Sequence, residues 1–240
     1  MSPIQALKAD THRVAGNFSW AALARQALIC RNFRLVVTMR LCQAVYANTT
    51  LRPFLPLFIV LHKLTSSIAA VDFPWKTHVG AGFALTHGWG AVVSHGARIG
   101  SNVTMFHGAT LGRRDRIGPD GTRSIGFPTV EDEVWIGPHA VIVGGVTIGR
   151  GSRIAANAFV TEDVPPYSVV SNGAAAVVRT GCVPDVMNPA PDSPAPAHGQ
   201  PVPASWNFPS SVATASQSSV EAMTSVDGLL LVCKQSVVRP

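Results

Sequence analysis

The sequence predicts a mainly β fold: a parallel β-helix built from six-residue rows, preceded by an α-helical segment. Three observations predict it. An aliphatic residue returns at every sixth position over two long stretches. Charged residues make up only 13% of the 240 residues and aromatic ones 7%, against 47% hydrophobic. The 21 Gly and 18 Pro leave room for long helices in only part of the chain. So little charge excludes a solvated, disordered chain for most of the length, and so few aromatics imply a core of Val, Ile, Ala and Leu.

Residues 1–18 are polar and aperiodic and are expected to be irregular. Over 19–70 the spacing is helical. Leu35, Met39, Cys42 and Val45 recur every three or four residues, and Pro53 and Pro56 cut that helix from the next. Arg25, Arg31, Arg34 and Arg40 decorate this segment, either as a solvated helix face or as contacts to anionic lipid or substrate. The most apolar run, Leu57 to Leu61, is closed by His62 and Lys63 and is too short to span a bilayer. These basic, apolar helices would suit work near a membrane surface, so peripheral membrane association is a candidate property.

Over 71–180 the chain is expected to form the β-helix. Laid in rows of six it reads VGAGFA, LTHGWG, AVVSHG, ARIGSN, VTMFHG, ATLGRR and, after an insertion, VEDEVW, IGPHAV, IVGGVT, IGRGSR, IAANAF, VTEDVP. The leading column is Val79, Leu85, Ala91, Ala97, Val103, Ala109, then Val130, Ile136, Ile142, Ile148, Ile154, Val160. Three such rows make one triangular coil, positions about eighteen apart stack, and each coil buries its interior against its neighbours. The insertion 113–127 cannot join a coil and is expected to protrude as a loop. Pro165 and Pro166 are expected to end the stack. Residues 181–240, rich in Pro, Ser and Ala, read as a mostly disordered tail.

Cys30, Cys42, Cys182 and Cys233 show no CxxC or metal-ligand spacing, which points away from a disulfide framework and toward a reducing cytoplasm. The first residues lack the basic-then-apolar layout of a signal peptide. A net charge of +6 invites polyanions without choosing among them; neither a nucleic-acid partner nor a metal is expected.

Chemistry in such a scaffold falls to the histidines. His87 holds the third place of its row, which points outward at a turn, where a neutral imidazole can act as general base or simply face solvent. On strict six-residue stacking His107 lies above Trp89 rather than His87, and its fifth place, shared by His95, suits a structural histidine. His78 and His139 read as surface turn residues. A rival reading rests on a resemblance to those β-helices that bind zinc through three histidines and hydrate carbon dioxide; it would make His78, His87, His95 and His107 a metal site with water in the open position. A third is a scaffold without catalysis.

The segments VDFPWKTHVGAGFALTHGWGAVVSHGARIGSNVTMFHGATLG and VWIGPHAVIVGGVTIGRGSRIAANAFVTEDVPPYS resemble the serine acetyltransferase family of left-handed β-helix acyltransferases, over about Val71 to Arg179. The helical lead-in is similar to shorter members, some associated with polysaccharide modification. The resemblance implies an acetyl-CoA-dependent O-acetyltransferase working without a covalent acyl-enzyme or a metal. It places the catalytic base on His87 and the carboxylate that orients it on Asp72, fifteen residues earlier (87 − 72 = 15). It also implies a homotrimer with coenzyme A in the groove between adjacent chains, near Gly112, Ala140 and Ala156.

Departures from the family pattern bear on the acceptor. The family's Asp before the catalytic His is Thr86 here, and its serine-binding Arg-His-Pro is Gly126-Phe127-Pro128. Arg123, Arg116, Arg114 and Arg113 are the loop cations left to meet a carboxylate, whereas Phe127 suits the face of a sugar or plugs the loop base. Thr86, His107, Arg123 and Phe127 are therefore the candidate acceptor contacts, for serine or for a sugar hydroxyl. The family's partnership with the next cysteine-pathway enzyme uses a terminal peptide usually ending in Ile; this chain ends Val238-Arg239-Pro240, so that partnership is not expected.

Overall fold

A Ser-Pro-Ile-Gln opening sets the first element of the computed structural model, which describes residues 1–171, 176–179 and 181–182. These belong to a unit running Met1–Ala204; a second unit, Ser205–Pro240, lies outside the described residues, as does nearly all of the expected tail. Ser2 accepts the Gln5 N–H and donates its own N–H to the Gln5 side chain, a capping box with Pro3 in the first turn. Residues expected to be irregular therefore form α1 (Pro3–Ala15), closed by Gly16 at φ 78°. Its periodicity escapes a hydrophobic count because its buried face includes Asp10, Thr11 and Arg13.

The remaining helices are α2 (Trp20–Ile29), α3 (Arg31–Ala47) and α4 (Leu55–Ala69), with a 3₁₀ turn at Arg52–Phe54 before α4. Leu35, Val36 and Met39 of α3 join the core of the β domain. Cys42 is fully buried on the same helix, and burial pushes its thiol up to about 11. Between α3 and α4, His62 is held in one neutral tautomer: Nε2–H donates to the Phe73 carbonyl at 2.8 Å and Nδ1 accepts from the Thr38 hydroxyl at 3.0 Å. Burial lowers its pKa accordingly.

Arg40 corrects both readings of the helical arginines. It is 2% exposed and binds the fully buried Asp10 at 2.8 Å, while its remaining N–H groups reach the carbonyls of Val79 and Gly80. Asp10 also accepts the Phe83 N–H, and Arg13 donates to the Gly82 carbonyl. These bonds tie α1 and α3 to the first coil. Arg34 caps the last carbonyls of α2, at Ala27 and Leu28.

The strands follow in chain order: β1 (His78–Val79), β2 (Ala84–Thr86), β3 (Val92–Val93), β4 (Arg98–Ile99), β5 (Thr104–Phe106), β6 (Thr110–Gly112), the hairpin β7 (Arg114–Ile117) and β8 (Arg123–Gly126), then β9 (Thr129–Val130), β10 (Trp135–Ile136), β11 (Val141–Val143), β12 (Thr147–Ile148), β13 (Arg153–Ile154), β14 (Phe159–Val160), β15 (Val169–Ser171) and β16 (Ala176–Arg179). Three parallel ladders form the faces of a triangular prism: β1-β4-β9-β12, β2-β5-β10-β13-β15 and β3-β6-β11-β14. The insertion is an ordered antiparallel hairpin, Arg114 facing Gly126 and Ile117 facing Arg123.

Register refines the sixfold column. Leu85 stacks under Met105, twenty positions on, whereas Val93 stacks under Leu111, eighteen on. Two extra residues thus sit in the turn between β2 and β3. Beyond it the large inward residues are Val93, Ile99, Met105 and Leu111, and the column's Ala91, Ala97, Val103 and Ala109 are the smaller inward neighbours two positions earlier. The prolines do not end the stack: Pro165 and Pro166 occupy a turn, where no ladder N–H is required, and β15 pairs with β13 beyond them.

Candidate active site

The chain rounds a corner of the prism at His87, in the enlarged turn between β2 and β3. His87 has φ 60°, Gly88 36° and Gly90 67°; a left-handed conformation costs a non-glycine residue about 1–2 kcal/mol. The start of α3 supplies the support. With its amide oxygen toward the turn, the buried Asn32 accepts the N–H groups of His87 and Gly88, both at 3.2 Å. A Cβ on Gly88 would collide with the Asn32 side chain. Arg31 lies over the Trp89 ring, 3.8 Å from its centroid. None of these contacts is periodic in sequence; they exist only once α3 is laid against the first coil.

The two extra residues also move His107. It lies one rung above His87, since Thr86 pairs with Phe106, and not above Trp89 as strict stacking places it. The imidazoles of His87 and His107 meet edge to face with centroids 6.2 Å apart, and His139 continues the column at 5.0 Å. His139, at φ 57°, folds over Gly108, where any Cβ would strike its ring. His107 is half-buried, and its Nδ1 is enclosed without a hydrogen-bond partner. Burial first, then the His139 and His87 imidazoles, lower its pKa below the ordinary histidine value. His87 itself is exposed.

Asp72 sits at the foot of the same turn, bridging to Val92 and donating its N–H to the Ala91 carbonyl at 2.9 Å. Its exposed side chain borders a cleft of about 680 Å³ between α4 and the first coil, walled by His62, Lys63 and Trp75. Thr86, His87 and His107 thus share one corner of the prism with Asp72 below it.

The other candidates lie elsewhere. Phe127 packs against His95 (5.3 Å between centroids) and over Gly96, where a Cβ would strike its ring; it fills the base of the hairpin at a different corner. Arg123 and Arg113 both engage Asp115. Ala140 is fully buried, with its N–H on the Gly137 carbonyl and its carbonyl accepting from Thr110, so it offers a ligand neither side chain nor spare backbone groups. Gly112 faces Val143 on the next rung, and Ala156 lies half-exposed above Gly137 on the histidine corner. His78 is on β1 and His95 at the hairpin corner, so the four histidines of the zinc reading do not converge, and among the described residues no group of three His, Cys, Asp or Glu is placed to hold a metal ion.

Three parallel ladders in hexad register define the class of protein: a left-handed parallel β-helix of hexapeptide repeats. The family model "Bacterial transferase hexapeptide (six repeats)" matches residues 127–162. Within that class the chain is similar to serine acetyltransferases: 40% identical over 108 residues to that of Mycobacterium tuberculosis, covering 45% of each chain, and 30% identical over 143 residues to that of Bacillus subtilis, covering 58% of this chain and 64% of the relative. Among solved structures it resembles Neisseria gonorrhoeae serine acetyltransferase (27% identity, TM-score 0.59, 74% of this chain and 65% of that one). The Brucella abortus serine acetyltransferase in complex with coenzyme A gives 27% identity and a TM-score of 0.57 over 76% of this chain and 68% of that one. The resemblance read from the sequence is thereby borne out. The chain spans about half to two-thirds of the length of these curated relatives.

Proposed function

We propose that the chain is an acetyl-CoA-dependent O-acetyltransferase with His87 as general base. The observation that carries this reading is an exposed imidazole on a left-handed turn whose backbone Asn32 holds, with Asp72 pairing beneath Val92 at the end of the same turn. His87 accepts the proton of the acceptor hydroxyl as that oxygen attacks the thioester carbonyl, and returns it to the sulfur as the carbon–sulfur bond breaks. Asp72 orients the imidazole and stabilises its protonated form. His107, one rung above, lines the same corner with its imidazole edge to face with that of His87. The similarity to serine acetyltransferases, one of them in complex with coenzyme A, supports acetyl-CoA as donor. The small residues Gly137 and Ala156 keep the corner low enough for an extended pantetheine arm.

Serine is the first acceptor on the strength of the relatives' names. A sugar hydroxyl is the second reading, favoured by Asp115 engaging Arg113 and Arg123 and by Phe127 standing where a carboxylate-binding pair would be. The hairpin base and the histidine corner of one copy point different ways, so a trimer that sets one copy's hairpin corner beside its neighbour's His87 would complete the site. The test is thiol release from acetyl-CoA by the purified protein with L-serine and with a panel of sugars and nucleotide sugars, beside His87→Ala. Release that depends on an acceptor and vanishes in the variant supports the assignment; undiminished release in the variant refutes it.

A further inference from the structure

Helix α4 turns two unlike sides outward and inward. His62, Thr65 and Ala69 are buried on one side. On the other, Leu57, Val60, Leu61, Leu64 and Ile68 recur at helical spacing with exposures of 67, 55, 42, 56 and 60%, extended at the helix start by Phe54 at 59%. A contiguous apolar stripe of this kind marks a surface with a partner.

Charge says which partner. Between Asp10 and Asp72 the sequence contains no Asp or Glu, yet it carries six Arg and Lys63. Arg13 and Arg40 are buried in the fold, while Arg52, at the entry to α4, and Lys63, beside the stripe, are exposed. A second copy docked on this face would bring cation against cation, with no carboxylate between Asp10 and Asp72 to pair them. Anionic lipid headgroups meet that charge while the acyl boundary takes the leucines. No described helix is long and apolar enough to cross a membrane, so α4 would lie in the interface plane.

We propose that the α4 face docks the protein on an anionic membrane surface, whatever hydroxyl it acetylates. The test is sedimentation of the full chain with sucrose-loaded vesicles of phosphatidylcholine alone and of phosphatidylcholine with phosphatidylglycerol, at low and moderate salt. Binding should require phosphatidylglycerol and fall several-fold as salt rises from about 50 to 200 mM. The double variant Leu57→Glu/Leu64→Glu, whose residues are exposed and lie outside the catalytic corner, should lose at least about tenfold in vesicle binding while keeping its thiol-release rate and particle mass. Three results overturn the proposal: no binding by the unaltered chain, equal binding to neutral vesicles regardless of salt, or a drop in particle mass in the double variant, which would assign the face to a second copy.

Discussion

Replacing Asn32 by Ala is the sharpest probe of the histidine turn. Asn32 touches neither acceptor nor donor in the proposed reaction; it acts through the backbone of His87 and Gly88, whose two N–H groups it accepts at 3.2 Å. Leaving a buried donor unmet costs about 1–3 kcal/mol. Water entering the vacated space would offset part of this, so a net loss of about 1.5–3 kcal/mol is expected for the left-handed turn. At about 1.4 kcal/mol per factor of ten, the population with His87 correctly presented, and kcat with it, should fall roughly ten- to a hundredfold, with KM for acetyl-CoA little changed. Asn32→Asp keeps the acceptor and should recover much of the rate; its carboxylate beside the turn should also favour the protonated imidazole and move the rising limb of the pH–rate profile upward. Steady-state kinetics over pH, with melting curves on the same samples, separate a positioning effect from general unfolding. An Ala variant with an unchanged kcat would refute the view that α3 holds the base in place.

Other expectations follow from the same geometry. Asp10→Ala leaves the Arg40 guanidinium buried and unpaired and should cost about 3–5 kcal/mol, seen as a lower midpoint in chemical denaturation; an unchanged midpoint would mean α1 is not fastened through this pair. Gly126→Ala places a methyl group against the Gly145 backbone, which has no side chain to swing away, and should cost about 1–3 kcal/mol, measurable by thermal melting. Burial lowers the pKa of both His62 and His107 in the fold, so protonation favours the unfolded chain. Their stabilising contribution is present above about pH 6.5, the unperturbed value, and is lost as pH falls toward the depressed folded values. The melting temperature should therefore drop on acidification, less steeply in His107→Gln. Light scattering at working concentration should give three times the chain mass if the corner is completed between copies, and a monomeric mass would contradict that arrangement.

Much of the fold was legible because hexad rows repeat a physical unit: an inward aliphatic residue, a small neighbour and a turn. The phase of that repeat is legible too. The sixfold column weakens from Leu85 to Ala91, Ala97 and Ala109 just past the Gly-rich His87–Gly90 turn, while Val93, Ile99, Met105 and Leu111 carry the bulk two places later. That slip of two residues brings His107 above His87, where strict sixfold spacing puts it above Trp89. Helix α1 was missed because its buried face is ionic, although Ser2-Pro3-Ile4-Gln5 spells its cap. The support of His87 by Asn32 and Arg31 lay beyond sequence reasoning, since residues more than fifty positions apart meet only through tertiary packing.

Successive rungs stack at intervals of twenty, eighteen, thirty-one and sixteen residues without a break in any of the three ladders. Rung geometry is therefore rigid, while the amount of chain spent at a corner is free to vary. Insertions and deletions at corners change what the surface presents and leave the interior untouched, so the scaffold can acquire a new acceptor pocket, lengthen a hairpin or shed one by changes in turn length alone. A loop grafted between Gly118 and Gly121 would exploit the same freedom, since the hairpin carries it clear of every rung.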